Sequence, residues 1–466
     1  MSTETASTSG WQKFLQLLGR FPLIAALPAY VAGVVWRVLH VYNTHDPRST
    51  VYSDMHVYIS TARRISNEGY KMVPIDVTHP PATSWLFSQF YLADSSFYTL
   101  MQFQLLIAAL IPLAVGFLAW VAFDQKSAAW SIAASSGYYY YVEYAGFFLS
   151  EIYMMFLIPL IMALYLVAVR AKTLPATIAW AALTGIVLFV AIAFKTVAAP
   201  AVFGFCAVHW LLTRGPSLRV KSAALATMCA ATVPGIYLIS QRCTLANRNK
   251  FCLGSNKTAA DFLLGHYDRI HSLKWTDSQF GSPASQQHGY EHVPQVWFSI
   301  TDSEQNFQTA WDWVTGAPDK ALVLSVQHIF DLMTPNAPWP TIWTPEWPFA
   351  QAVSYIFVMV AAYPACLLLF DIVRSSGVVG LFRSIEFAIL SVLFGVMLGV
   401  FIATGEARYR LPYDCVFIVL AVQFYRRMFA RRRWGRGKAP RRPLAPAPER
   451  PPSEPAPAVE PAPAVA

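Results

Sequence analysis

Charged residues are scarce in this chain: they make up 13% of its 466 residues, against 55% hydrophobic ones. Soluble domains carry about a quarter. With a mean hydropathy of +0.40, that shortage excludes an ordinary soluble domain. Residue-by-residue alternation of apolar and polar side chains is missing, which excludes a membrane β-barrel. No cleavable leader is expected either. The first ten residues are polar with Glu4 their only charge, and the apolar stretch at 23–42 is itself long enough to span. An internal repeat, frequent in transporters, is also absent. Six cysteines do not make a disulfide scaffold. Cys206, Cys229, Cys366 and Cys415 lie in apolar runs, where cysteine acts as a small hydrophobe. Cys243 and Cys252 lie in a polar stretch and are disulfide candidates if that stretch is outside the cytoplasm. Their spacing fits no zinc ribbon.

What is present is a series of apolar runs. In lipid the backbone must satisfy its own hydrogen bonds, so these runs are helices. The expected fold class is an all-α polytopic membrane protein of about ten spans, at 22–41, 100–123, 128–142, 147–169, 176–194, 197–212, 222–240, 352–370, 385–403 and 412–428. The chain then divides into a cytoplasmic segment 1–21 and a transmembrane domain 22–240, whose first outer loop is 43–98. A large outer loop 241–350 and C-terminal helices 351–430 follow. The tail 431–466 is basic, then Pro/Ala-rich, and reads as disordered.

The net charge is +9. Lys13, Arg20, Lys126, Arg170, Lys172, Arg214, Arg219, Lys221, Arg374, Arg383, Arg426, Arg427 and residues 431–433 fall on one side of the span pattern. That side is the cytoplasm by the positive-inside rule, and both termini belong to it. Basic residues confined to membrane edges speak against nucleic acid as a partner. The other side receives the loop around Asp54, Glu143 to Glu151, Lys195, the 241–350 loop and 405–410. Charge there runs against the trend, and charge at or in a membrane points to a functional site.

The first outer loop reads V-Y-S-D-M-H-V-Y at 51–58, with Thr78-His79-Pro80-Pro81 some twenty residues on. A helix is expected over 54–68, capped by Ser53 and ended by Gly69. Met55, Ile59, Ala62 and Ile65 share one face, which suits a helix lying on the membrane surface. Asp54 in its first turn is favoured as an anion by the helix dipole. It reads as a general base, or as a capping aspartate at an interface. Tyr52, His56, His79 and Pro80 surround it in the sequence.

A second group is G-E-A-R-Y-R-L-P at 405–412. Arg408 and Arg410 suit a phosphate at the outer mouth of the last span, with Glu406 and Tyr409 beside them. The alternative is a pair of snorkelling arginines. Lys195 is a third phosphate contact or another snorkelling end. Glu151, after Ser150, orients a substrate or pairs with Arg408 or Arg410. A helix is expected over 297–314. The segment 334–348, T-P-N-A-P-W-P-T-I-W-T-P-E-W-P, reads as a lid over the outer mouth. No metal is assigned and no cofactor is required. Asp54, His56, Asp76 and His79 in one loop fit no standard ligand spacing, which leaves a divalent metal only as an alternative. His266, His271, His288 and His292 read as solvated loop residues, and Asn256-Lys257-Thr258 matches a glycosylation sequon.

In order along the chain, Asp54, the Pro80-Pro81 pair, Ser150-Glu151 and R-Y-R-L-P at 408–412 resemble the GT-C-fold glycosyltransferases, close to the protein O-mannosyltransferase and aminoarabinose-transferase group (family 39-like). The resemblance covers the membrane part. It implies an inverting sugar transfer on the extracytoplasmic face, from a polyprenyl-phosphate-linked sugar to a hydroxyl of a glycan, lipid or protein acceptor. Asp54 would be the base, Arg408 and Arg410 would hold the phosphate, His79-Pro80-Pro81 would shape the pocket, and Glu151 would add a polar contact. Met55 departs from a frequent acidic residue, His79 from a lysine before the proline pair, and Lys195 from an arginine. A transporter or flippase of lipid-linked sugars, or a non-catalytic scaffold, is the alternative class.

Overall fold

The computed structural model describes residues 21–69, 79–246, 255, 257–266, 303–403 and 405–434. Among them every regular element is a helix, and no strand occurs. The first half of the chain runs α1 (Pro22–Asn43), α2 (Ser53–Glu68), α3 (Pro81–Ala93), α4 (Tyr98–Ala122), α5 (Gln125–Ser136), α6 (Tyr139–Glu143) and α7 (Glu151–Arg170). Then come α8 (Leu174–Phe194), α9 (Ala198–Leu212), α10 (Leu218–Ala246), α11 (Lys257–His266), α12 (Ser303–Gly316) and α13 (Pro318–Met333). The remainder is α14 (Trp347–Phe357), α15 (Tyr363–Phe382), α16 (Ile385–Leu390), α17 (Val392–Ile402), α18 (Ala407–Arg410) and α19 (Asp414–Trp434). Contacts separate Met1–Phe424 from a second unit, Tyr425–Ala466, whose described part is the end of α19.

Seven of these stretches are long and apolar enough to cross a membrane: α1, α4, α7, α8, α10, the continuous Trp347–Phe382 and Ile385–Ile402. The chain is a multi-pass membrane protein. Three expected spans take other forms. The run at 197–212 is the 15-residue α9. The run at 412–428 opens as a 3-10 turn over Leu411–Tyr413 and continues as α19. The run at 128–142 is broken, since α5 ends at Gly137 and a separate short helix follows.

Arg37, in the middle of α1, meets that break. Its guanidinium donates to the carbonyls of Gly33 (2.8 Å), Ser136 (3.1 Å) and Ser135 (3.3 Å), and the residue is 1% exposed. A helix end leaves carbonyls without partners, and a cation there satisfies them. The α1–α5 approach needs Gly33, because a Cβ there would lie 2.6 Å from the Ser136 carbonyl oxygen.

Among the seven candidate spans the most buried is α7, whose side chains are nearly all enclosed. It packs against α4, α8, α9 and α10, and against the Leu411–Tyr413 turn before α19. Its N-terminus is therefore brought to the R-Y-R-L-P turn by the core itself. The stretch 241–350, expected as one large loop, folds in part as helices. In it α11, α12 and α13 pack together, and α13 contacts α17 and α18. The helix expected over 297–314 is α12, with 297–302 outside the described residues.

Candidate active site

Asp54 stands in the first turn of α2. The cap position is Tyr52, in an extended conformation with no side-chain cap bond, so the helix starts one residue earlier than the Ser53 cap predicted. Gly69 ends it with φ 74°, a conformation glycine adopts without strain. The predicted apolar face is present, but protein covers it. Met55, Ile59, Ala62 and Ile65 are buried, α2 packs on α3, and Ser66 Oγ donates to the Ser88 carbonyl at 3.0 Å. This seating fixes Asp54. The proline pair does the same for His79, since Pro81 opens α3.

Three basic side chains converge on Asp54. Arg408 Nη1 is 3.2 Å and Lys257 Nζ 3.6 Å from Oδ2, and His79 Nε2 is 3.6 Å from Oδ1. Lys257 Nζ is also 3.5 Å from His79 Nε2, which places an ammonium beside the histidine. Arg408 Nε lies 3.0 Å from Glu406 Oε2 and 3.7 Å from Glu151 Oε1, and Lys195 Nζ closes on Glu151 Oε1 at 2.7 Å. The Trp339 ring lies 4.4 Å from the Arg408 guanidinium carbon, a cation–π distance that sets the Trp/Pro segment against Arg408. Lys195 faces the Tyr409 ring at 4.7 Å.

Asp54, His79, Glu151, Lys195, Lys257, Arg408 and Tyr409 line a cavity of about 310 Å³. One part is polar, with Asp54, His79, Glu151, Lys195, Lys257, Asp261 and Arg408. The other is apolar, where the ends of α8, α9 and α17 supply Phe194, Val197, Pro200, Val400 and Ile402. Burial alone would raise the Asp54 pKa, yet the charges of Lys257 and Arg408 and the His79 contact hold it well below the usual carboxylate range. Burial and the neighbouring Lys257 lower the His79 pKa, so its ring is neutral at pH 7. Burial opposes the Lys257 charge, but Asp54 and Asp261 outweigh it and keep the ammonium protonated.

Asp54, His79, Pro80, Glu151, Lys195, Arg408 and Tyr409 all line the cavity. Glu406 reaches it only through Arg408. Arg410 is turned away. Its guanidinium donates to Asp414 Oδ1 (2.9 Å) and to the carbonyls of Thr334 (3.1 Å) and Leu332 (3.5 Å), and Asp414 also accepts from Tyr138 Oη at 2.6 Å. The reason is helical geometry, because side chains two apart in α18 point about 200° from each other. His56 is exposed on α2. Tyr52 packs 5.8 Å from the His45 ring and 6.0 Å from Phe147, beside the cavity lining and not in it.

Cys243 is disulfide-bonded, and Cys252, the partner suggested by the sequence, lies outside the described residues. So do Asp76, His271, His288 and His292. His266, expected in solvent, is buried and bonds Ser325 Oγ at 2.9 Å, because α11 folds onto α13. Among the described residues no cluster of three His, Cys, Asp or Glu side chains could hold a metal. Sequence reasoning missed Lys257 and Asp261. Both are charged residues of the 241–350 loop, expected on the outer side, one helical turn apart before F-L-L, and the outer-charge argument applied to Asp54 covers them equally.

No protein-family description and no curated protein matches this sequence. The backbone is similar to that of the oligosaccharyltransferase AglB from Archaeoglobus fulgidus, solved with an inhibitory peptide and a dolichol-phosphate. The TM-score is 0.50 at 14% identity, over 91% of this chain and 53% of that one. It is also similar to the Archaeoglobus fulgidus oligosaccharyltransferase tethered to an acceptor peptide containing the NVT sequon, at TM-score 0.52 and 13% identity, over 87% and 50%. For ArnT from Cupriavidus metallidurans in the apo state the values are 0.36 and 16%, over 88% and 78%. The chain spans about half the length of the oligosaccharyltransferases it matches. At such identities the likeness concerns architecture, and that architecture is the GT-C fold of membrane glycosyltransferases.

Proposed function

We propose that this chain is a glycosyltransferase that moves a sugar from a polyprenyl-phosphate carrier to an acceptor hydroxyl on the extracytoplasmic face, both termini being cytoplasmic. The observation that carries the reading is the Asp54–Arg408 pair, 3.2 Å apart across one cavity although 354 positions separate them in sequence. Arg408 meets the donor phosphate, and Lys195 adds positive charge behind it. The apolar wall of Phe194, Val197, Pro200 and Val400 suits the first prenyl units. The volume lies near the lower end of the range of about 300–1,000 Å³ for small-molecule sites, which suits one sugar and its phosphate. A solved GT-C neighbour holding a dolichol-phosphate supports a lipid-phosphate donor.

The step is a single displacement. The acceptor oxygen forms a bond to the anomeric carbon, whose bond to the phosphate oxygen breaks. The electron pair leaves with the polyprenyl phosphate, and the acceptor proton passes to Asp54. One displacement inverts the anomeric centre. Arg408 stabilises the charge that grows on the leaving phosphate, a role often worth a few kcal/mol. Trp339 and the segment around it exclude water from the reacting atoms. The test is release of polyprenyl phosphate from radiolabelled polyprenyl-phospho-sugars by the purified chain with an envelope extract as acceptor source. Asp54→Asn is expected to lower turnover by about 100- to 10,000-fold. Full turnover in that variant refutes the assignment of the base.

A further inference from the structure

We propose that Asp261 selects the sugar of the donor. Its open carboxyl oxygen accepts a hydrogen bond from one sugar hydroxyl, and that contact decides which sugars the site takes. This rests on the transferase reading above and adds to it the residue that distinguishes one sugar from another.

Asp261 is held in place by the seating of α11. Ala260 and Leu263 are buried, the Phe262 ring lies 5.5 Å from that of Phe307 in α12, and His266 Nε2 lies 2.9 Å from Ser325 Oγ in α13. Gly265 lies against the end of α17, where a Cβ would collide with the Ala403 carbonyl oxygen. Asp261 precedes Gly265 by one helical turn and shares its face. The helix therefore lays the carboxyl group against the cavity that Val400, Ile402 and Ala403 also line.

Among the described residues three carboxyl groups line the cavity, and they differ in what they hold. Asp54 faces Arg408 at 3.2 Å, and Glu151 is closed on Lys195 at 2.7 Å. A fourth, Glu406, stands 3.0 Å from Arg408 and outside the lining. Asp261 keeps a buried oxygen, Oδ1, with no hydrogen-bond partner among the described residues. Protein interiors rarely leave such an oxygen without a donor, because the group has lost its water and gained nothing in return. A water can supply the donor in the empty site. A sugar hydroxyl in the same place supplies it when substrate is bound, and the water is displaced.

The chemistry of the donor lipid determines which part of it Asp261 meets. The phosphate goes to Arg408, and a carboxylate repels it, so Asp261 is no phosphate ligand. The prenyl chain is apolar and takes the wall of Phe194, Val197 and Val400. What remains is the sugar, which is joined to the phosphate and so lies beside Arg408 and Asp54. Asp261 stands there too, near enough for the charges of both to act on it. A carboxylate accepts from a hydroxyl through a charge-assisted bond, about twice as strong as a neutral one. A site that devotes a buried polar group to one hydroxyl rejects the analogue lacking it, because the group is then left unpaired.

The experiment uses the purified full chain, a panel of radiolabelled polyprenyl-phospho-sugars and an envelope extract as acceptor source. The sugar that wild type turns over fastest is the parent, and synthetic donors each lacking one of its hydroxyls are compared with it. One deoxy donor is expected to lose about 10- to 100-fold in kcat/KM with wild type. Asp261→Ala should lose about as much on the parent and should use the parent and that deoxy donor within about threefold of each other. Asp261→Asn, which keeps the shape and a neutral acceptor, should fall between. Sugar-free polyprenyl monophosphate, bound in lipid nanodiscs, should keep its wild-type affinity within about threefold in both variants, which a merely structural role for Asp261 would not allow. Asp261→Ala using the parent as wild type does, or keeping the wild-type preference over every deoxy donor, overturns the sugar contact and leaves the transferase reading standing. So does an equal loss of sugar-free lipid binding in both variants. Wild type turning over no member of the panel overturns the transferase reading and the sugar contact with it.

Discussion

At neutral pH Asp54 is ionised, because Lys257 and Arg408 outweigh the cost of its burial. Its folded pKa lies below the unfolded value of about 3.9. The stability it contributes is therefore complete above that value and is lost only as pH falls through the lower folded one. Catalysis follows a different pH. If donor phosphate draws Arg408 away, the Asp54 pKa rises in the complex. The acid limb of kcat should then lie at higher pH than that of kcat/KM, since the first reports the complex and the second the free enzyme. Steady-state profiles in both parameters check this, and coincident acid limbs speak against the transfer of Arg408 from Asp54 to the donor phosphate. The arginines separate at the same scale. Arg410→Met leaves Asp414, which is fully buried, without its cation, at a cost of about 3–5 kcal/mol. Its effect should appear in thermal stability, with lipid-phosphate affinity per folded molecule unchanged.

Among the elements, α1 and α5 depend on one buried guanidinium. Arg37→Met should leave the Ser135 and Ser136 carbonyls short of a donor and lower stability by about 1–3 kcal/mol, read as a fall in melting temperature in detergent. An unchanged melting temperature would refute that capping role. The elements were legible to different degrees, for physical reasons. Apolar runs of spanning length announce themselves, so α1, α4, α7, α8 and α10 stand close to where the sequence put them. The break at Gly137 is only half visible, because Ser135, Ser136 and the tyrosines at 138–141 dilute the apolar run without marking where the backbone turns. In α2 the amphipathic spacing is plain, yet periodicity does not say whether lipid or α3 covers the apolar face. The two arginines of α18 were paired by proximity in sequence, and their directions on a helical turn part them. Lys257 reaches Asp54 from α11 across 203 positions, a contact no local pattern encodes.

For the whole molecule, the central proposition is that residues from the first outer loop, the ends of the core helices and the last outer turn form one site on the extracytoplasmic side. Orientation is directly testable. His56 and Lys126 are both exposed, and the proposed topology puts them on opposite sides. In intact cells a membrane-impermeant maleimide should label His56→Cys and spare Lys126→Cys until the membrane is opened. The reverse pattern would invert the topology. The most direct test of the account is sugar transfer itself, with purified wild type and Asp54→Asn compared side by side on radiolabelled polyprenyl-phospho-sugars. The account predicts polyprenyl phosphate released with wild type and turnover lower by about 100-fold or more in the variant, with the carrier lipid still bound. Equal turnover in the two proteins, or none from any carrier-linked sugar with wild type, contradicts it.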